Sequence, residues 1–187
     1  MAQRASLPRY TADDYLSNEV VATVKSEYID GEVYAMARAG ERHNRIAASG
    51  FFILRSLTRG TPCGVLIADM KLRVESQNAF YYPDVMLTCH ADDDHSIYKR
   101  SLCLLVEVLS PSTANIDRRE KWLAYRTLES LRAYLLVDSE QRQVDYNILE
   151  ASGWSVGQLE ADEILNVDCS QLSVAVALDD LYEDVGL

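Results

Sequence analysis

The sequence lacks several features that would place it in a common class of protein. It has no apolar run long enough to cross a bilayer and no apolar signal-peptide region near its start. The four cysteines, Cys63, Cys89, Cys103 and Cys169, form no Cys-x-x-Cys pair. We therefore expect a cytoplasmic protein that does not engage membranes and has neither structural zinc nor disulfides, with Cys103 as a buried reduced thiol.

Motifs of several familiar chemistries are also missing. There is no glycine-rich phosphate loop, no Gly-x-Ser-x-Gly and no His-Glu-x-x-His. The net charge of −11 argues against a protein that coats nucleic acid by charge alone. It does not exclude an enzyme that acts on phosphodiesters through a metal, because the metal and a local basic patch can attract the substrate.

The order of the predicted elements indicates a mixed α/β fold with a central sheet between helices. Thr11 to Asp14 has capping-box spacing and opens a short helix, and Asp30-Gly31 predicts a hairpin. Long helices are predicted over 41–58 and 116–129, and a short one over 178–182. We find no linker or repeat and predict one domain over residues 1–187. The main predicted strands cover 63–68, 70–74, 81–87, 102–109, 133–137 and 143–149.

One carboxylate, Glu107, lies inside the apolar run Leu102–Leu109. Such a run, ended by Ser-Pro-Ser, is typical of a strand buried on both faces. An ionised carboxylate there is costly unless a cation or strong donors meet it. Alternation along the strand places Glu107 on one face with Cys103, Leu105 and Leu109.

A second carboxylate, Asp84, follows Pro83 in the strand predicted over 81–87. If the two strands are neighbours, Asp84 and Glu107 can bind one cation, with the carbonyl of Val108 as a further ligand. Oxygen ligands of this kind suit Mg²⁺ or Mn²⁺.

The helix predicted after this strand carries Asp117, Lys121 and Tyr125 at i, i+4 and i+8, hence on one face. A lysine near a metal-bound water can orient it and stabilise charge in a phosphoryl transition state. Asp117 can orient Lys121. Other interpretations stay open: Glu107 as a member of a structural ion pair, Lys121 as a solvated residue, and His43 as a surface or capping histidine.

The order and spacing of these residues resemble a known family. The segments that carry the resemblance are Tyr28–Glu32, His43-Asn44, Tyr82–Asp84, Val106–Thr113, Asp117 with Lys121 and Tyr125, and Ala133–Asp138. Together they resemble the bacterial restriction-endonuclease-like family, abundant in cyanobacteria, of the PD-(D/E)XK nuclease superfamily.

The resemblance implies a restriction-endonuclease-like core, with Asp84 and Glu107 as metal ligands in an enzyme that hydrolyses DNA. It also implies a homodimer. The usual catalytic lysine, two positions after the Glu, is Leu109 here, and Lys121 replaces it from the next helix. A further Glu on the first core helix corresponds to Glu41, with Glu32 as a competitor. Further candidates near the site are Asp69, Asp117, His43 and Tyr125.

The predicted function is a divalent-metal-dependent DNA endonuclease, with Asp84, Glu107 and Lys121 as its catalytic residues. The alternative is a nuclease-like module that binds nucleic acid or protein without hydrolysis, a possibility that Leu109 and the acidic composition favour.

Overall fold

A computed structural model describes residues 9–111 and 117–187 of the protein. The described helices are α1 (Ala12–Glu19), α2 (Glu41–Leu57), α3 (Trp122–Tyr125) and α4 (Leu178–Leu181), with a 3-10 turn at Glu75–Gln77 and a π-helical turn at Asp117–Lys121. The described strands are β1 (Ser26–Ile29), β2 (Glu32–Ala35), β3 (Gly64–Ile67), β4 (Lys71–Val74), β5 (Ala79–Tyr81), β6 (Val85–Thr88), β7 (Tyr98–Lys99), β8 (Leu104–Leu109), β9 (Ala133–Asp138), β10 (Val144–Glu150), β11 (Gly153–Gln158), β12 (Ile164–Asp168) and β13 (Ser173–Ala177).

The strands form a mixed α/β architecture, as the sequence predicts. A five-stranded sheet has the order β2-β1-β5-β4-β7, and a six-stranded sheet has the order β11-β10-β9-β8-β6-β3. Strands β12 and β13 form a separate pair. Both larger sheets are mixed, because β8 runs parallel to β9 and β4 runs parallel to β7, whereas their other pairings are antiparallel. No helix in the described part of the chain is long and apolar enough to cross a membrane.

Local sequence signals at the start of the chain are confirmed. The Thr11 side chain accepts from the backbone N–H of Asp14, and the Asp14 carboxylate accepts from the N–H of Thr11, which completes the capping box of α1. Asp30 and Gly31 have φ values of 45° and 94°, the left-handed geometry of a tight hairpin turn between β1 and β2.

The strand predicted over residues 81–87 is interrupted, so this prediction is wrong in part. Strand β5 ends at Tyr81 in the five-stranded sheet, and β6 begins at Val85 in the six-stranded sheet. Tyr82, Pro83 and Asp84 connect the two sheets. Proline has no N–H to donate to a ladder, which favours a break at this point.

Strand β8 is buried along its whole length, as its apolar sequence predicts. Leu105 and Leu109 pack into one apolar cluster, while Val106 and Val108 pack into another. The predicted face holds for Leu105, Glu107 and Leu109 but not for Cys103. Cys103 precedes the strand and belongs to the second cluster.

Helix α2 packs on the six-stranded sheet through a narrow stripe. Ile46 and Leu54 are its buried large side chains. Phe52 is 71% exposed and Leu57 is 40% exposed. The helix therefore uses the i, i+8 stripe through Gly50, which faces Val85 and Leu181.

The second predicted helix, over residues 116–129, is shorter and differently wound. Its first residue, Ile116, lies outside the described residues. Asp117 to Lys121 form a π-helical turn, and α3 continues only to Tyr125. Turns of this type are often found at functional sites.

The expectation of four reduced cysteines is wrong. Cys63 is bonded to Cys89, and Cys103 is bonded to Cys169. The first pair extends the β3–β6 ladder, because Gly64 pairs with Thr88 and the next residues in register are Cys63 and Cys89. Sequence spacing hides both pairs, since the partners are 26 and 66 residues apart.

Candidate active site

The ammonium group of Lys121 lies among three carboxylates. Its Nζ atom is 3.0 Å from Glu27 Oε1, 3.1 Å from Asp117 Oδ1 and 3.2 Å from Glu107 Oε1. All four side chains are at most 12% exposed. The π-helical turn presents Asp117 and Lys121, β8 presents Glu107, and β1 of the other sheet presents Glu27. The cluster therefore joins the two larger sheets.

Glu107 is held by two donors at the centre of the cluster. The Tyr125 hydroxyl donates to its Oε1 atom at 2.9 Å, and Lys121 donates to the same atom. Burial raises the pKa of Glu107 well above its usual range. The charge of Lys121 opposes this shift, while the neighbouring carboxylates of Asp84, Asp117 and Glu27 add to it.

Burial and nearby charges also shift the pKa values of Lys121 and Tyr125, the two donors to Glu107. Burial favours the neutral form of Lys121, but the carboxylates of Glu107, Glu27 and Asp117 prevail and raise its pKa well above the ordinary value. Burial and the charge of Glu107 raise the pKa of Tyr125 well above its ordinary value. Lys121 is therefore a fixed positive charge, and Tyr125 is a fixed hydroxyl donor.

Asp84 lies beside this cluster at the connection between the sheets. Its Oδ2 atom accepts from the backbone N–H of Val108 at 2.8 Å, the residue after Glu107. The same oxygen is 3.3 Å from His43 Nε2 on α2. The side chains of Asp84 and His43 are 19% and 18% exposed, so they form the solvent-facing side of the site.

His43 is more than a surface or capping histidine. Burial acts to lower its pKa, but the hydrogen bond to Asp84 and the charges of Asp84 and Asp117 outweigh burial and raise it. Its Nδ1 atom is buried and has no partner among the residues that the structure describes.

The structure bears on two interpretations that the sequence leaves open, Glu107 as a structural ion-pair member and Lys121 as a solvated residue. Glu107 does form an ion pair with Lys121, as a structural role requires. However, Asp84 is not remote, because it bonds to the residue next to Glu107. Lys121 is 6% exposed and is not a solvated surface lysine.

The remaining candidates lie outside this contact network. Glu41 pairs with Arg45 on the exposed side of α2, and the exposed Asp69 pairs with Lys25. The Glu32 carboxylate accepts from the hydroxyl of Tyr34 on an exposed strand.

Sequence reasoning missed Glu27. It lies in the run Ser26–Ile29, which was interpreted only as half of a hairpin. Its Oε1 atom also accepts from the backbone N–H of Tyr82, which ties Glu27 to the segment that carries Asp84. The local sequence offers no signal for it, because Glu27 lies between Ser26 and Tyr28 in an ordinary strand beside the Asp-Gly turn.

The donor set suits a hard cation. Four acidic side chains, Glu27, Asp84, Glu107 and Asp117, surround one lysine and one histidine, Lys121 and His43. The acidic groups outnumber the basic ones, and all four offer oxygen, which Mg²⁺ and Mn²⁺ prefer. Among the described residues, no three His, Cys, Asp or Glu side chains are placed to hold a metal by themselves. Waters would therefore complete the shell, as is usual for Mg²⁺.

Comparison with known proteins first defines the class. A crystal structure titled as that of a "putative nuclease belonging to DUF820" from Anabaena variabilis ATCC 29413 superimposes with a TM-score of 0.74. The match covers 94% of this chain and 99% of that chain at 15% sequence identity, and it shows that the two chains share the restriction-endonuclease-like fold.

Sequence comparison then identifies the family. The Uma2 family model, described as "Putative restriction endonuclease", matches residues 12–177, and the chain belongs to this family. It is 32% identical over 174 residues to the uncharacterized protein slr1290 of Synechocystis sp. (strain ATCC 27184 / PCC 6803 / Kazusa), covering 92% of each chain. It is 33% identical over 139 residues to sll1609 of the same organism, covering 73% of this chain and 78% of that protein.

Proposed function

We propose that this protein is a divalent-metal-dependent endonuclease that hydrolyses phosphodiester bonds of DNA. The observation that carries the proposal is the buried cluster in which Glu107 pairs with Lys121 beside Asp84, with more acidic than basic side chains. A protein gains little stability from such a cluster, because each unpaired buried carboxylate is costly. A bound cation would balance it.

Each side chain has a role in the proposed reaction. Asp84 and Glu107, with the carbonyl of Val108, would hold Mg²⁺ or Mn²⁺. The bound ion would lower the pKa of a water and neutralise charge on the phosphate. Tyr125 fixes the Glu107 carboxylate by its hydrogen bond.

Lys121 keeps its position whichever partner Glu107 takes. Glu27 and Asp117 hold the ammonium group from two other directions. Once Glu107 binds the metal, the Lys121 N–H that bonds to it would be available to an attacking water or to a phosphate oxygen that becomes more negative in the transition state. This arrangement supports a catalytic role for Lys121, from the helical turn after β8, in place of a lysine at position 109. Leu109 itself packs in the apolar core.

The substrate approaches from the side of Asp84 and His43 in this proposal, because Glu107, Lys121 and Asp117 are almost inaccessible to solvent. A homodimer and a cytoplasmic location belong to the proposal only as predictions from the sequence, and the two disulfides remove the cysteine argument for the location. Sedimentation of the purified protein tests the first of these.

A plasmid-nicking assay tests the activity. Wild type should convert supercoiled DNA to nicked or linear forms in Mg²⁺ or Mn²⁺ and not in EDTA. Glu107→Gln and Asp84→Asn, which keep the side-chain shape but remove the charge, should abolish cleavage. Glu150→Gln, at the exposed end of β10, is the matched control and should cleave like wild type. Equal cleavage by Glu107→Gln would refute the assignment.

A binding module without hydrolysis is the second candidate. The observation that favours it is that Lys121 is already neutralised by three carboxylates while Leu109 occupies the usual lysine position. Electron paramagnetic resonance of Mn²⁺ separates the two candidates. Binding that Asp84→Asn and Glu107→Gln abolish supports the nuclease, whereas DNA binding without any Mn²⁺ binding supports the module.

A further inference from the structure

A second polar cleft lies away from the carboxylate cluster. It has a volume of about 680 Å³ and opens near the start of β8. Cys103, in its wall, precedes Glu107 by four residues, a distance of about 13 Å along an extended chain. The charged side chains that line it are Arg73, Arg100, Arg132, His90, Glu75 and Glu129. Three arginines against two glutamates give the cleft a small positive excess in a chain with a net charge of −11.

The arginines retain donors for a ligand. Arg132 bonds through Nη1 to the carbonyls of Glu129 and Leu131, and Arg73 bonds through Nη2 to Asn78. A guanidinium carries five N–H donors in a planar fork. The Nη1 atom of Arg73 is buried without a partner in the described part of the chain. An unpaired charged N–H is costly, so an anion that reached it after a small shift of the guanidinium would be favoured.

The remaining wall combines hydroxyl groups with Leu128 and the disulfide-bonded Cys89, Cys103 and Cys169. Ser76 and Thr127 bond to each other at 2.7 Å through their side chains, and Ser101, Ser130 and Ser170 also line the cleft. Arginine forks match phosphate oxygens in geometry, and hydroxyls match the polar groups of a sugar. The volume lies within the range of small-ligand sites.

We propose that this cleft binds the phosphate group of a nucleotide-sized ligand. The guanidiniums of Arg73 and Arg132 bind the phosphate, with Arg100 at the rim. The serine and threonine hydroxyls face the attached sugar. The site is separate from the carboxylate cluster and does not depend on the proposed cleavage of DNA.

The acidic residues in the cleft favour a small ligand over a DNA strand. Glu75 and Glu129 lie in the same wall as the arginines, and Glu75 is 3.5 Å from Arg100 Nε. A continuous row of phosphates would meet these carboxylates, whereas one phosphate can bind between the arginines.

Isothermal titration calorimetry with four probes tests the proposal. The probes are inorganic phosphate, thymidine 5′-monophosphate, thymidine and a short oligothymidylate. Inorganic phosphate should bind weakly, the monophosphate should bind more tightly, and thymidine should not bind. Binding of the oligothymidylate alone, or equal affinity for thymidine and its monophosphate, would overturn the proposal.

Substitutions locate the binding. Arg73→Gln and Arg132→Gln should each weaken monophosphate binding by about tenfold or more, since charge-assisted hydrogen bonds are lost. Glu129→Gln should strengthen it. Arg59→Gln, in the exposed turn after α2 and outside the cleft, is the control and should bind like wild type.

Two further variants keep the test decisive. If Arg73→Gln does not fold, the tenfold loss of affinity must still appear in Arg132→Gln. A smaller loss should appear in Arg100→Gln at the rim, whose side chain is 52% exposed and tolerates substitution. Glu107→Gln should bind the monophosphate with wild-type affinity. If Glu107→Gln loses this binding while the arginine variants keep it, the ligand binds at the carboxylate cluster and the cleft proposal fails.

Discussion

Removal of the Lys121 ammonium group gives the sharpest test of the carboxylate cluster. Lys121→Met keeps most of the side-chain volume but leaves Glu27, Glu107 and Asp117 without their shared cation. Each contact is close to 3.1 Å. At an effective dielectric constant of about 20, one such contact has about 5 kcal/mol of Coulomb energy before desolvation is considered. Experiments that strand one partner of a buried ion pair lose about 3–5 kcal/mol, the value expected here.

Urea and thermal unfolding in EDTA measure this loss. For a chain of this size, 3–5 kcal/mol corresponds to a fall in Tm of about 6–20 °C. The control is Lys25→Met, which removes an exposed pair with Asp69 and should cost only about 0–1 kcal/mol. Equal stability of the two variants would refute the view that Lys121 is a buried structural cation.

Metal binding adds a second readout to the same variant. Mg²⁺ or Mn²⁺ should restore more stability to Lys121→Met than to wild type, because the cation replaces the missing charge. The double variant Lys121→Met/Glu107→Gln should be less destabilised than the sum of the single variants, since one stranded charge is gone. Additive effects would show that Lys121 and Glu107 do not interact.

Three further predictions concern other parts of the molecule. Tyr125→Phe removes a hydrogen bond to Glu107 and should cost about 1.5–3 kcal/mol of stability with a lower cleavage rate, measured by urea unfolding and plasmid nicking. Burial raises the pKa of Tyr182 to about 12, above the value near 10 of an unfolded tyrosine. Unfolding therefore releases a proton, stability falls as pH rises from about 10 to about 12, and Tyr182→Phe should lose less stability over that range in alkaline unfolding curves. Cys103→Ser opens the 66-residue link to Cys169 and should cost about 4 kcal/mol by loop entropy, and wild type should show no thiol that reacts with Ellman's reagent after denaturation.

The sequence predicted the centre of the cluster because burial is a local property of a strand. An apolar run that contains Glu107 requires a partner, and helical spacing placed Asp117, Lys121 and Tyr125 on one face. The proximity of Asp84 to β8 follows from the predicted pairing of their strands, and the observed pairing of β6 with β8 confirms that pairing. The catalytic roles of these residues remain predictions.

The features that the sequence did not predict depend on contacts between distant segments. Glu27 comes from the other sheet, and nothing in its local pattern distinguishes it from an ordinary strand residue. The disulfides depend on the register of β3 with β6 and on the fold of the C-terminal strands. The break at Tyr82–Asp84 was missed because the flanking residues are equally apolar, and only the geometry of Pro83 separates them.

The contact of Lys121 with carboxylates from both larger sheets has a consequence for exchanging parts between family members. Glu27 belongs to a segment that pairs within one sheet, while Glu107 and Asp117 come from a segment centred on the other. A chimera that joins two relatives at Tyr82–Asp84 would take the residue at position 27 from one parent and the residues at 107, 117 and 121 from the other. Such hybrids should be stable only when the two parents have connections of equal length between β5 and β6, because that length sets the position of Glu27 relative to Glu107 and Lys121.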